Sequence, residues 1–379
     1  MCLQLLAQLR PHWRRDPALP ERIQRRLAAN RRFGARDRRL YRELIYTALR
    51  FLPWIEPLLD RDPEEAVRRL AWLAADTPDT RAFRQAGATG EAPSGDRAQL
   101  LPAWFARHCP EIFSGLELEA QCRRAPLWVR LQTADADAVF AELTSLGCRC
   151  RRSAALRGAV EVQGETDLTA TVAWRTGMFE VQDLGSQMVL ASIGLEPGGR
   201  WLDACAGAGG KSLQLARLLG PTGRVDAHDI RPAALAELRS RAARARLDNI
   251  RTCSRPDAAG YDGVLVDAPC SGSGTWRRAP HLKWATTEAL VARKAETQRA
   301  LLRRFAALVQ PSGRLVYATC SLSRCENQDV LSGFLAEQPE FRPAPFADTF
   351  GFAPQGAGLT LWPARHDTDG FFVASLRRT

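Results

Sequence analysis

The 379-residue sequence lacks any uninterrupted apolar run of about 18 residues, the length that a membrane-spanning helix needs. Its first residues, MCLQLLAQLRPHWRRD, reach proline and arginine too early for a signal peptide or a membrane span. The sequence therefore predicts a cytoplasmic protein without a membrane segment. Apolar residues make up 45% of the chain, which is long enough for two or three domains with substantial cores.

Paired cysteines are also missing. The ten cysteines are scattered, with neither a Cys-x-x-Cys pair nor a His/Cys cluster at the spacing of zinc ligands. Cys148 and Cys150 are too close in the chain to be a convincing exception. This pattern predicts free thiols in a reducing compartment and no bound metal.

Lysine is scarce, because Lys211, Lys283 and Lys294 are the only lysines among 53 basic residues. The net charge of +11 suggests a polyanionic partner. Thirteen arginines lie between positions 10 and 50, against four acidic residues. A solvated helix face and a phosphate-contacting surface are alternative interpretations of this stretch. Its candidate RNA contacts are Arg31, Arg32, Arg36, Arg38 and Arg39.

Composition and periodicity divide the chain into parts. Residues 1–85 show apolar positions at helical spacing, and residues 86–99 form a linker that includes GATGEAPSGD. Strand and helix patterns in residues 100–165 predict a small α+β module. Between 166 and 379, apolar strands alternate with helices, which predicts an α/β domain whose parallel sheet is covered by helices on both faces. Ligands should bind at the carboxyl ends of those strands.

A glycine-rich turn lies between a strand and a helix in WLDACAGAGGKSLQLA, residues 201–216. Gly207, Gly209 and Gly210 permit positive φ and a close approach of the backbone to a ligand. A turn of this kind is weak evidence alone, because similar runs bind NAD or simply make tight turns.

Two carboxylates make the turn more informative. Asp229 ends the next strand, 18 residues after Lys211, where a carboxylate commonly binds ribose hydroxyls. Asp203 precedes the first glycine of the loop by only four residues. An acidic residue there suits the methionine amino group in methyltransferases, whereas a dinucleotide loop should leave room for pyrophosphate.

Two cysteines follow two separate apolar strands. DAPCSG places Asp267 and Cys270 after one strand, and VYATCSLSRCEN places Cys320 after a later one. If both strands lie in one parallel sheet, both thiols open onto the cleft that holds the glycine loop. A lone free cysteine is more often a small core residue than a nucleophile, but this convergence favours a functional pair.

Such a pair suits methylation of a pyrimidine at C5. A thiolate that adds to C6 makes C5 enamine-like and able to attack a sulfonium methyl group. A carboxyl group near N3, such as Asp267, would offset the negative charge of the adduct. The second thiol is a candidate for ending the cycle, when the C5 proton leaves and the first cysteine is eliminated.

These motifs resemble the RsmB/NOP/Sun family of RNA cytosine-C5 methyltransferases. The resemblance runs from about residue 170 to 379 through FEVQDLGSQMVL, LDACAGAGGKS, DAPCSGSGTWRR, QPSGRLVYATCSLSRCENQDV and TDGFFVASL. Residues 33 to 55 are more loosely similar to the NusB-like helical domain of the bacterial ribosomal RNA members. The resemblance implies a Rossmann-like class I S-adenosylmethionine-dependent methyltransferase domain with NusB-like and small α+β RNA-binding modules. It also implies a monomer that acts on RNA, with ribosomal RNA favoured over tRNA.

The resemblance further implies roles for individual residues. Cys320 is the expected nucleophile and Cys270 the group that assists release, with Asp267 and Lys211 beside them. The expected cofactor contacts are loop and strand-end residues, namely Asp203, Cys205, Ala206, Gly207, Ala208, Gly209, Gly210, Lys211, Asp229, Asp257 and Asp267. The usual Ala-Ala-Pro of the family's loop is Ala206, Gly207 and Ala208 here, which should make the turn more flexible.

Further candidate RNA contacts follow the Cys270 loop, namely Arg277, Arg278 and Lys283, although an ordinary surface role is an equal alternative. Three rival functions fit these residues less well. A DNA cytosine-C5 methyltransferase would use Cys270 as the nucleophile and would leave the motif around Cys320 unexplained. A non-catalytic RNA-binding assembly factor would need neither thiol. An amino-group methyltransferase is disfavoured, since its corresponding motif needs no cysteine.

Overall fold

A computed structural model describes residues 1–258 and 260–379. The chain forms two compact units, one of Met1–Arg124 with Thr275–Leu290 and one of Ala125–Gly274 with Val291–Thr379. Each unit has a hydrophobic core of its own. Among the described residues, no helix combines the length and the apolar character needed to cross a membrane.

The first unit is helical, as the apolar spacing of residues 1–85 predicted. Its core includes Leu19, Ile23 and Leu27, which lie at i, i+4 and i+8 and form one buried stripe. Short 3₁₀ turns join some of its helices. The helices are α1 (Cys2–Leu9), α2 (Leu19–Ala29), α3 (Ala35–Arg50), α4 (Leu52–Ile55), α5 (Leu58–Arg61), α6 (Pro63–Leu73), α7 (Arg81–Gly87) and α8 (Gly115–Gln121).

The first unit extends beyond the predicted linker at 86–99. Leu100 is buried in the helical core, and Phe105 and Ile112 are also buried. These apolar side chains keep residues 100–124 with the helices, so this stretch is not the start of the small module.

The small module is an antiparallel sheet with strand order β2-β3-β1-β4. Its first three strands and the helix between β1 and β2 confirm the predicted pattern. Phe179–Val181 lies beyond the predicted limit at residue 165 but pairs with β1 and completes the sheet. The elements are β1 (Trp128–Leu131), α9 (Ala136–Ser145), β2 (Arg149–Arg152), β3 (Ala159–Gln163), α10 (Val172–Arg175) and β4 (Phe179–Val181).

The remaining elements form the predicted α/β domain. Apart from α14 (Pro280–Ala285), which belongs to the first unit, they are α11 (Leu184–Ile193), β5 (Arg200–Asp203), α12 (Gly210–Leu219), β6 (Arg224–His228), α13 (Pro232–Arg244), β7 (Ile250–Cys253), β8 (Tyr261–Asp267), α15 (Glu288–Ala306), β9 (Val309–Thr319), α16 (Gln328–Glu337), β10 (Phe341–Pro343), β11 (Gly358–Leu361), α17 (Pro363–His366) and β12 (Phe371–Arg378). The strand order is β10-β12-β9-β8-β5-β6-β7, with β11 paired to β12. Strands β7, β6, β5, β8 and β9 are parallel, and β12 is antiparallel to β9. This Rossmann-like arrangement confirms the predicted fold class.

Apolar residues on both faces of the strands explain why the sheet is covered on both sides. In β8, Leu265 joins one core cluster, whereas Val264 and Val266 join the other. Leu315 and Val316 of β9 alternate in the same way. A strand that is buried on both faces reads as a continuous apolar run, as GVLV does in this chain.

Helix α14 packs within the first unit, against the C-terminus of α3. Lys283 Nζ donates a hydrogen bond to the carbonyl of Arg50 at 2.9 Å, and Trp284 Nε1 donates to the carbonyl of Leu49 at 2.6 Å. Carbonyls in the last turn of a helix have no helical N–H partner, and a cation is favourable there. Lys283 is 2% exposed, and this burial lowers its pKa to about 7.

The buried lysine predicts a pH-dependent stability. An unfolded lysine titrates near 10.5, so between that pH and about 7 the unfolded chain binds more protons than the folded one. Stability therefore rises with pH in this window. Relative to Lys283→Met, the wild type should gain about 1–2 kcal/mol of unfolding free energy between about pH 7 and about pH 9. Urea denaturation of both proteins at each pH measures this, and a pH-independent difference would contradict it.

Candidate functional site

The carboxyl ends of four neighbouring parallel strands meet at one edge of the sheet. Their last residues are His228 of β6, Asp203 of β5, Asp267 of β8 and Thr319 of β9. Asp267 is opposite Ala318 in the register of β8 and β9. The loops that follow these two strands therefore start side by side.

Two thiols come together in those loops. The Sγ atoms of Cys270 and Cys320 are 3.3 Å apart, and both residues are partly exposed. The hydrogen bond with Cys320 and burial raise the pKa of the Cys270 thiol. Cys270 therefore stays protonated near neutral pH. Within residues 1–258 and 260–379, no group of three His, Cys, Asp or Glu side chains is arranged to hold a metal ion.

An ion pair lies next to the thiols. Lys211 Nζ donates to Asp267 Oδ2 at 2.9 Å, and Lys211 is 8% exposed. Burial disfavours the charged amine, but the Asp267 carboxylate outweighs it and raises the pKa of Lys211. Lys211 Nζ also lies 5.1 Å from the centre of the Phe371 ring. The lysine is thus held as a cation at the edge of the sheet.

The glycine-rich turn joins β5 to α12 and depends on two left-handed glycines. Gly207 has φ 55° and Gly209 has φ 92°, which residues with a side chain rarely adopt. The Gly207 N–H donates to Asp229 Oδ2 at 2.9 Å, so the turn is tied to the end of β6. Asp229 also accepts hydrogen bonds from Arg231. Burial opposes the charge of Asp229, but these hydrogen bonds outweigh it and lower its pKa.

A cavity of about 670 Å³ lies over this turn. Ile230 is 85% exposed at its rim, which offers an apolar surface next to the carboxylate of Asp229. That combination suits a nucleoside, whose ribose hydroxyls can bind a carboxylate while the base packs on an apolar side chain. The cavity is lined by Ser186, Ala204, Cys205, Ala206, Gly207, Ala208, Gly210, Lys211, His228, Asp229, Ile230, Arg231, Asp267, Pro269, Thr297, Leu301, Arg304 and Phe305.

Three of the predicted cofactor contacts do not line the cavity, namely Asp203, Gly209 and Asp257. Asp203 is 1% exposed beneath the turn, where it accepts a hydrogen bond from Ser212 Oγ at 2.6 Å. Burial raises the pKa of Asp203 to about 7. Asp257 instead pairs with Arg200 and Arg251, whose guanidinium groups also bind a carboxylate in β6. These charge pairs hold Asp257 in an ion-pair cluster that does not line the cavity.

Sequence reasoning missed the side of the cavity formed by α15. Thr297, Leu301, Arg304 and Phe305 are spaced at i, i+4, i+7 and i+8, and they lie on one face of that helix. The helical spacing was visible in the sequence, but nothing local showed which face would meet the strand ends. Ile230 and Arg231 could have been found, because they directly follow Asp229.

The predicted RNA contacts are divided by their burial. Arg31, Arg32, Arg36 and Arg278 are exposed and Arg38 is partly exposed, whereas Arg39 is partly exposed and forms an ion pair with Asp79. Arg277 is 0% exposed and Lys283 is 2% exposed, both inside the first unit. A buried side chain cannot reach an RNA phosphate, so the structure corrects the prediction for these two. The Arg277 guanidinium donates to the carbonyl of Arg124 at 3.5 Å and Lys283 donates to the carbonyl of Arg50 at 2.9 Å, so both side chains have a packing role.

The sequence of this chain is similar to those of known proteins. Residues 190–377 match the family model described as 16S rRNA methyltransferase RsmB/F. A Synechocystis protein named "Probable ribosomal RNA small subunit methyltransferase B" is 33% identical over 256 residues, which cover 63% of this chain and 57% of the relative. The ribosomal RNA small subunit methyltransferase B of Xylella fastidiosa strain 9a5c is 32% identical over 294 residues, which cover 73% of this chain and 68% of that protein. The chain thus spans little more than half of the Synechocystis relative.

The fold also has a solved counterpart. The crystal structure of PH0851 is similar over 100% of this chain and 97% of its own, with a TM-score of 0.74 and 23% sequence identity. At this identity the likeness concerns the fold, and it extends over both the helical part and the α/β part of the chain.

The two adjacent glycines of the turn provide a matched pair of variants. A Cβ at Gly209 would lie 2.7 Å from Leu238 Cγ in a left-handed conformation, whereas a Cβ at Gly210 would have no atom within 4 Å. Gly209→Ala should lower the unfolding free energy by about 1–3 kcal/mol, through left-handed strain and overpacking. Gly210→Ala, at the first helical position of α12, should be neutral or stabilising by up to about 1 kcal/mol. Urea denaturation compares them, and equal losses would contradict this account of the turn.

Proposed function

Because the chain belongs to the family of RsmB/F ribosomal RNA methyltransferases, we propose that it methylates C5 of a cytosine in ribosomal RNA with S-adenosylmethionine as the methyl donor. One observation carries the proposal. The thiols of Cys270 and Cys320 lie 3.3 Å apart beside the Lys211–Asp267 ion pair, at the strand ends that also form the nucleoside-sized cavity. Carbon methylation of a pyrimidine needs a nucleophile, a group that ends the covalent cycle and a site for the donor, all within reach of one ring.

The cavity residues fit the donor. When bound, S-adenosylmethionine supplies an electrophilic methyl group. Asp229 would hold its ribose hydroxyls, and Ile230 would pack against its adenine. The backbone of the 205–211 turn would form the floor of the site, since Gly207 leaves room for close approach. Asp203 supports this turn from below through Ser212 and makes its contribution indirectly.

Cys320 would act as the nucleophile on the base. Its thiolate would form a bond to C6 of the cytosine, and the electron pair of the C5–C6 double bond would shift so that C5 becomes nucleophilic. Asp267, protonated by the proton that the Cys320 thiol gives up, would donate a hydrogen bond to N3 of the ring as negative charge develops there. The Lys211 ammonium group would offset the negative charge that develops on the ring, because its Nζ lies 2.9 Å from Asp267 Oδ2.

Cys270 would serve the end of the cycle. The hydrogen bond with Cys320 and burial raise the pKa of Cys270, and a protonated thiol suits a supporting role better than that of the nucleophile. After methyl transfer a base must take the C5 proton, and the electron pair of that C–H bond restores the C5–C6 double bond as the Cys320–C6 bond breaks and the Cys320 thiolate leaves. Cys270, in contact with Cys320, is placed to assist this elimination.

Replacement of each cysteine tests these roles. Cys320→Ala should abolish methylation of a small-subunit ribosomal RNA transcript, because no covalent adduct can form. Cys270→Ala should retain the attack but stall at elimination, so that protein covalently bound to RNA accumulates. Denaturing gel electrophoresis with labelled RNA detects the adduct, and bisulfite sequencing detects the 5-methylcytosine.

Cys325→Ala is the matched control, because Cys325 lies five residues past Cys320 and packs against the core. It should methylate normally. Accumulation of the adduct in Cys320→Ala rather than Cys270→Ala would assign the nucleophile to Cys270. Binding of RNA without any affinity for S-adenosylmethionine would instead support a non-catalytic assembly factor.

Bisulfite sequencing of total RNA would identify the substrate. Cells with the protein should carry a 5-methylcytosine in small-subunit ribosomal RNA that cells without it lack. A difference confined to tRNA would overturn ribosomal RNA as the substrate and would leave the chemistry intact.

A further inference from the structure

A buried carboxylate joins the two cysteine loops. Glu326 is 0% exposed and lies just before α16. Its Oε1 accepts a hydrogen bond from the backbone N–H of Ser271 at 2.7 Å, and its Oε2 accepts from Ser271 Oγ at 2.5 Å and Ser321 Oγ at 2.6 Å. Gln298 Nε2 adds a fourth hydrogen bond at 3.1 Å. The carboxylate thus binds the residue that directly follows each catalytic cysteine.

Neighbouring contacts reinforce this link between the loops. Ser273 Oγ lies 2.9 Å from Ser321 Oγ and accepts a hydrogen bond from the Leu322 N–H at 2.9 Å. The Gly274 N–H donates to the Cys320 carbonyl at 3.0 Å. Together these contacts attach the loop after β8 to the loop after β9 at Cys320 and at the residues that follow the two cysteines.

Asn327 holds the Cys320 loop from its other side. It accepts a hydrogen bond from Thr319 Oγ1 at 2.6 Å and donates to the Ser321 carbonyl at 2.8 Å. These partners are the residues immediately before and after Cys320. Glu326 and Asn327 therefore have different roles. Asn327 fixes the conformation of the Cys320 loop, whereas Glu326 links that loop to the Cys270 loop.

Burial of the Glu326 carboxylate has a desolvation cost. A carboxylate removed from water requires compensation, and the four donors around Glu326 are neutral groups. Hydrogen bonds to a charged acceptor provide that compensation and are directional, so they restrict the positions of their donors. A neutral apolar side chain would fill the same space but would not hold the two loops in register.

We propose that Glu326 is a positioning residue that sets the separation of the Cys270 and Cys320 thiols and makes their reactivities differ. This inference rests on the proposed function and deepens it, since it explains how two identical side chains acquire different roles. The negative charge of Glu326 disfavours a second negative charge on Cys270. It adds to the hydrogen bond with Cys320 and to burial, which are the larger causes of the raised pKa of Cys270.

Glu326→Gln tests the charge while keeping the shape. A glutamine can accept from the Ser271 N–H, and the serine hydroxyls can rotate to accept from its amide group. The loops should therefore stay together, but Cys270 should lose the repulsion from the carboxylate. Iodoacetamide alkylation, followed site by site with mass spectrometry across a pH series, should show Cys270 reacting at least about threefold faster at mildly alkaline pH.

Asp329→Asn is the matched control. Asp329 lies in the first turn of α16 and is exposed, so its loss removes a nearby negative charge and an exposed ion pair with Arg324 but none of the hydrogen bonds of Glu326. Its alkylation profile should match that of the wild type. An unchanged Cys270 profile in a folded Glu326→Gln protein, or an equal shift in Asp329→Asn, would overturn the proposal.

Ser321→Ala provides a milder variant if Glu326→Gln fails to fold. It removes one donor to Glu326 and leaves the carboxylate, the Ser271 N–H and Gln298 in place. The link between the loops should loosen, so diamide should oxidise the Cys270 and Cys320 pair to a disulfide at a rate that differs at least about twofold from the wild type. An unchanged rate would count against positioning through this network.

These thiol measurements need neither RNA nor S-adenosylmethionine. Failure of the methylation assays would therefore leave them interpretable, and failure of the thiol assays would leave the proposed function standing. If the methylation assays and the thiol assays both give the expected results, Glu326→Gln should lower kcat for methylation at least about tenfold. The KM for RNA should change little, because the thiols act after binding. A loss confined to KM would place Glu326 in RNA binding instead.

Discussion

The parallel pairing of β8 with β9 is the constraint on which the site depends. Neighbouring strands lie about 4.8 Å apart, so loops that leave their carboxyl ends together start in contact. The register opposes Asp267 to Ala318, and both strands are buried on both faces and cannot shift without exposing apolar residues. The contact between Cys270 and Cys320 is a direct consequence of this pairing.

The ionisable groups around that contact are buried to different degrees, and each is compensated in its own way. Lys211 pairs with Asp267 and remains a cation, whereas Asp203 lies below the turn with its pKa raised to about 7. Glu326 is surrounded by neutral donors. The site therefore contains a carboxylate that faces the cleft, one that supports the cofactor turn and one that ties the thiol loops. Sequence position alone would not separate these three roles, since all three follow or precede apolar strand segments.

Much of the fold could be predicted because its signals are local. Alternation of apolar strands and helices predicted the parallel sheet. The strands and the helix of the small module were predicted from the spacing of their apolar residues and from Gly147 at a turn. The boundaries of the two units were harder to predict from the sequence. Leu100 joins the helical core, and Phe179–Val181 completes the small sheet by pairing with β1, which lies much earlier in the chain. Both depend on contacts distant in sequence, which no local pattern reports.

The sequence by itself determined which chemistry is available: a glycine turn, carboxylates after strands and two cysteines in loops of matching kind. Tertiary structure alone decided which of these groups meet. In the folded chain Asp257 lies in an ion-pair cluster, and Lys283 and Arg277 are buried in packing roles. Helix α15 and Glu326 lie at the strand ends. The physical reason is that residue type and spacing set what a side chain can do, whereas burial and partners are properties of the folded neighbours around it.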